Sequence, residues 1–163
     1  MIVVSDATPL IALAKVGKLE LLKALFGTIR VPQSVYYDEV VMDAKGRPGS
    51  LEVSQASWIA TQSAGDRIKV DYLRADLDAG EAETLVLAEE LAADWILLDE
   101  TKARLAADLP GFDHIGIVGL FLLAKRIGEV AMVRPILDEL RKKKFYISER
   151  VYQKALIQAG EKF

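Results

Sequence analysis

Two short apolar runs, each closed by an aspartate, constrain the fold most. Ile2-Val3-Val4 leads through Ser5 to Asp6, and Trp95-Ile96-Leu97-Leu98 leads directly to Asp99. Runs that are apolar at every position fit strands of a parallel sheet covered on both faces, where polar alternation is lost. Further strands are expected over residues 28–31, 58–61 and 112–115. Between them the spacing turns helical. Leu10, Ile11, Leu13 and Ala14 precede Gly17, and Leu19, Leu21, Leu22, Leu25 and Phe26 precede Gly27. Gly80-Glu81-Ala82-Glu83 opens the clearest helix, with Leu85, Val86, Ala88, Leu91 and Ala92 on its inner face. More helices are expected over 32–41, 101–109, 117–127, 133–143 and 148–160, while 63–79 is ambiguous, with a strand conceivable near Ile68-Lys69-Val70. Strands alternating with helices imply a parallel sheet with helices on both faces.

The 163 residues fit one domain and, at 52% hydrophobic, can bury a real core. With no cysteine, disulfides and thiolate-held zinc are excluded. The apolar N-terminus is too short for a signal peptide and lacks a basic leader. No run approaches the ~18 apolar residues of a membrane span, so a cytoplasmic location without membrane contact is expected. The net charge of −3 does not advertise nucleic-acid binding. Basic charge gathers late, in Arg141-Lys142-Lys143-Lys144. That cluster reads either as a solvated helix end, favoured by the helix dipole, or as a phosphate-contacting patch.

If the chain winds as this pattern implies, Asp6 and Asp99 share the rim formed by the carboxyl ends of the strands, where open α/β folds bind ligands. Glu39 sits in a helix-like stretch and Glu81 at the start of another. Each acid alone has an ordinary explanation: Asp6 and Asp99 as helix caps, Glu81 as a partner for a helix dipole, Glu39 as a surface residue. Together they form a cluster whose mutual repulsion a cation would relieve. Oxygen ligands suit Mg²⁺ or Mn²⁺, and such ions make an acidic pocket compatible with a phosphodiester. Competing chemistries lack their residues. There is no phosphate-binding glycine loop and no serine nucleophile elbow, and the lone His114 cannot supply a two-histidine zinc motif. A phosphoaspartate enzyme or receiver domain, with Asp6 as nucleophile or phosphoacceptor, stays open, although its usual companion acid two positions on is replaced by Thr8.

Four segments, taken in order, resemble PIN-domain proteins, and most closely the branch known as DUF3368. They are Val3-Val4-Ser5-Asp6-Ala7-Thr8-Pro9-Leu10-Ile11, Val31-Pro32-Gln33-Ser34-Val35-Tyr36-Tyr37-Asp38-Glu39-Val40, Gly80-Glu81-Ala82-Glu83-Thr84-Leu85 and Leu97-Leu98-Asp99-Glu100-Thr101-Lys102-Ala103-Arg104. The resemblance implies a three-layer α/β/α sandwich around a mainly parallel sheet, as one PIN-like domain over 1–163 with a helical extension over 133–163. It implies an endoribonuclease using Mg²⁺ or Mn²⁺. Asp6, Glu39, Glu81 and Asp99 would be both the metal-ligating and the catalytic acids. Thr8 would orient a ligand or water. Lys102 and Arg104, on the helix expected after Asp99, read either as cations that steady the RNA backbone or as an ordinary solvated helix face. Many relatives are toxins of the VapC type, held by a small antitoxin and commonly homodimeric. The third acid is Glu81 where many PIN proteins have aspartate, and Asp38 and Glu100 neighbour motif acids. A catalytically weak module that binds RNA or protein is therefore the alternative expectation.

Overall fold

A computed structural model describes residues 1–36, 49–99 and 113–161. The sheet is built from five strands: β1 (Val3–Ser5), β2 (Ile29–Pro32), β3 (Ile59–Gln62), β4 (Trp95–Leu97) and β5 (Asp113–Ile115). Their order is β3-β2-β1-β4-β5, with every pairing parallel. β1 and β4 are central and buried, which explains why their sequences carry no polar alternation.

Side chains on successive strand residues point to opposite faces. Val3 and Leu97 therefore enter one buried cluster while Val4 and Ile96 enter the other. On the second face lie α4 (Arg67–Leu73) and α5 (Ala79–Glu90), which contribute Val70, Ala82, Leu85, Val86 and Ala88. The first face is covered by α1 (Ala7–Lys15), α2 (Glu20–Phe26), α3 (Ser50–Gln55), α6 (Ile117–Arg126), α7 (Arg134–Lys142) and α8 (Glu149–Gln158). This is the expected α/β/α sandwich. Leu137, Leu140, Tyr152 and Leu156 of the C-terminal helices lie in the same cluster as Val3, so this tail packs on the sheet's own core.

One expectation is overturned. The segment around Ile68-Lys69-Val70 is the helix α4, and no strand. Asp66 caps it by accepting from the Lys69 N–H at 3.0 Å, and Val70 is buried while Ile68 is 84% exposed. Two β-branched residues flanking a lysine imitate a strand, but Val70 and Leu73, three residues apart, give the helix its inward apolar face. Gly49, at the start of α3, has φ +105°, and an added Cβ would meet the Ala14 Cβ at 2.9 Å, so α3 can approach α1 only through glycine. Among the described residues no helix is long and apolar enough to cross a membrane.

Candidate metal centre

Asp6 follows β1 immediately, and its N–H donates to the Leu97 carbonyl at 3.0 Å, carrying the β1–β4 ladder one residue beyond the strand. That bond sets Asp6 beside the end of β4, from which the chain continues through buried Leu98 to half-buried Asp99. Asp6 stands at the N-cap of α1 with extended backbone (φ −78°, ψ 174°), yet its side chain makes no capping hydrogen bond. The residue is only 4% exposed, and Oδ1 is buried with no hydrogen-bond partner among the described residues. An orphaned carboxylate oxygen of this kind is costly unless something electropositive meets it.

The electrostatics agree. Burial pushes the Asp6 carboxyl up from 3.8 to about 6; the Ala7 N–H opposes that, and the charges of Asp78, Glu81 and Asp99 add to it. Two of the expected acids, Glu81 and Asp99, are thus within electrostatic reach of the third, Asp6. Asp78 is a fourth acid that the sequence reading passed over.

Asp78 and Glu81 form a reciprocal cap at the start of α5. Asp78 Oδ1 accepts from the Glu81 N–H at 2.8 Å, and Glu81 Oε2 accepts from the Asp78 N–H at 3.1 Å. The spacing Asp-x-x-Glu ahead of an apolar helix is the sequence signal of this box, and it was present to be read. The box holds Glu81 on the rim, while one of its oxygens serves the helix end. Thr8 sits half-buried in the first turn of α1, two residues from Asp6. Glu39, Lys102 and Arg104 lie outside the described residues. Among the described residues no three carboxylate or imidazole groups converge closely enough to hold a metal by themselves. A hard cation that keeps most of its water needs only one or two direct carboxylates, and Asp6 with Asp99 or Glu81 would be the residues to hold it.

The rim is the carboxyl edge of an all-parallel sheet, and its acids come from β1, β4 and the N-terminus of α5. The profile of DUF3368, described as a PIN domain, matches residues 2–161. The chain is a PIN domain. It belongs to the DUF3368 family, and its fold is of the kind generally found in nucleases. No curated protein and no solved structure matches the chain.

The late basic cluster of this PIN domain is partly engaged in structure. The Arg141 guanidinium lies 3.9 Å from the centre of the Tyr152 ring and donates to the Ile147 carbonyl at 3.1 Å. Lys143 Nζ donates to the Lys15 carbonyl at 2.6 Å, tying the end of α7 to the end of α1. Lys143 meets the carbonyl end of α1, as the dipole reading expects, whereas Arg141 pins the segment that leads into α8. His114 is half-buried within the edge strand β5.

Proposed function

We propose that this PIN domain is a single-domain endoribonuclease dependent on Mg²⁺ or Mn²⁺. The observation that carries the reading is the buried, unpartnered Oδ1 of Asp6 facing further acids. Asp6 and Asp99 are the principal metal ligands in this reading, with Glu81 and Glu39 acting directly or through water. Bound there, the ion supplies the charge that lets a phosphodiester approach, and it acidifies an attacking water. The chain's own contribution is to hold Asp6 in a dry, rigid position, to hold Glu81 by its cap, and to offer the Thr8 hydroxyl for orienting water. An acid not bound to metal takes the proton of that water. Lys102 and Arg104 meet the RNA backbone.

The test is cleavage of a labelled RNA oligonucleotide with and without Mn²⁺ or Mg²⁺. Metal-dependent cutting that disappears in Asp6→Asn supports the reading. Equal cutting by wild type and Asp6→Asn identifies a contaminant and contradicts it.

One observation favours a second reading, a PIN fold that grips RNA or a protein without cleaving. Glu81 Oε2 is committed to the helix cap, so its reach toward a metal is restricted. Metal-independent RNA binding with no cleavage under any divalent ion would select that reading. The toxin role, with a small antitoxin and a homodimer in the cytoplasm, follows from the family resemblance; co-purification with the product of an adjacent small gene tests it.

A further inference from the structure

Glu83 is the acid of the Gly80-Glu81-Ala82-Glu83 motif that the metal centre does not use. Its side chain is 7% exposed and takes two partners from different elements. The Ser34 hydroxyl, just past the end of β2, donates to Oε2, and Arg67 Nη1 of α4 lies 2.7 Å from Oε1. Because Ser34 follows the carboxyl end of β2, its bond to Glu83 fixes the carboxylate at the rim. The Arg67 guanidinium, reaching in from α4, is held there with it. Arg67 itself is 58% exposed, and among the described residues its ion pair is with Glu83 alone. With one contact on Nη1 and more than half of its side chain exposed, Arg67 has guanidinium donors left for a further partner.

The rim thus has two unlike halves. Around β1 and β4 stand Asp6, Asp78, Glu81 and Asp99, all negative. Around β2 and β3 stand Gln33, Ser34 and Ser63, uncharged, with the Ser63 hydroxyl donating to Gln33 Oε1 at 2.8 Å, and here the carboxylate of Glu83 is neutralised. A polyanion laid along this rim is repelled by the first half except where a metal intervenes, and is met by an oriented cation beside the second. We propose that Arg67, held in place by Glu83, contacts a backbone phosphate of single-stranded RNA next to the scissile linkage. The inference rests on the nuclease reading for its substrate.

The alternative is that Arg67 serves only to neutralise Glu83, and the design of the test separates the two. Affinity for a fluorescein-labelled single-stranded RNA oligonucleotide is measured by anisotropy over a series of salt concentrations, in an Asp6→Asn background that prevents cleavage. Arg67→Ala alone leaves a buried carboxylate unpaired, so the informative variant is Arg67→Ala with Glu83→Gln, which removes both charges. A phosphate contact predicts about three- to tenfold weaker binding and a salt slope shallower by about 0.7, with Arg67→Lys intermediate. Affinity and slope of the paired variant equal to those of the Asp6→Asn parent overturn the proposal. Read in EDTA without added divalent ion, the binding slope judges Arg67 whether or not Asp6→Asn abolishes metal-dependent cleavage, so the two readings fail separately.

Discussion

The carboxylates of Asp6 and Glu161 are both withdrawn from solvent, one at the carboxyl edge of the sheet and the other just past α8. Glu161 is saturated. Its side chain, 4% exposed, accepts from Lys125 Nζ at 2.9 Å and from the N–H groups of Val133 and Arg134 at 2.8 and 2.9 Å. Burial alone would raise its pKa, but the two N–H bonds and the Lys125 ammonium outweigh that and lower it. Asp6, buried as a whole residue, keeps an oxygen without a hydrogen-bond partner among the described residues and is raised to about 6. The same side-chain chemistry serves as a clasp at one place and as a vacancy for charge at the other. Two things distinguish them: Asp6 is the more deeply enclosed residue, and the fold supplies donors to Glu161.

The largest expected effect falls on Asp6. Asp6→Asn should lower metal-dependent RNA cleavage on the order of 100-fold or more, since a neutral amide cannot replace the carboxylate's charge. Retention of half the wild-type rate would break the contrast between the two sites. Glu161→Ala strands two N–H groups and an ammonium at once. It should cost about 2–3 kcal/mol of stability in urea melts while leaving cleavage unchanged.

Asp6→Asn should act oppositely on stability. In the metal-free protein the folded pKa of about 6 lies above the unfolded 3.8, so ionising Asp6 opposes folding. That penalty is absent below pH 3.8 and fully present above about pH 6, where Asp6→Asn should stabilise by about 2–3 kcal/mol. Chemical denaturation at pH 4 and pH 8 checks this; a loss of stability at pH 8 would contradict the assigned burial cost. Glu161 has the reverse sign, because its folded pKa is lowered. Its contribution is present above the ordinary carboxylate range and fades as pH falls through the folded value. The smallest effect belongs to Asp78→Ala, which removes half of the α5 cap. About 1 kcal/mol should be lost, with the Asp6 pKa moving down because one neighbouring charge is gone.

Much of this architecture was legible because burial writes itself into apolar runs. Val3, Val4, Ile96 and Leu97 read as strand residues since both sheet faces are covered, and α5 read as a helix from its glycine-led start and inner apolar face. The segment of α4 was misleading, because Ile68 is β-branched yet exposed, while the core side of the helix is carried by Val70 and Leu73. Asp6 and Asp99 could be assigned to one rim because each follows a strand, whereas Glu81 opens a helix and its place depends on how α5 returns to the sheet. Asp78 was missed because a cap looks like punctuation, and its charge at the site depends on how α5 meets the sheet. The Ser34–Glu83–Arg67 bridge joins three segments far apart in sequence, and no local pattern announces it.

Binding of Mn²⁺ followed by electron paramagnetic resonance tests the central claim most directly. At pH 7.5 the wild-type chain should take up the ion, affinity should fall as pH drops through about 6, and Asp6→Asn should bind negligibly. Equal uptake by wild type and Asp6→Asn, or none by either, would contradict a cation site built on the unpartnered oxygen of Asp6.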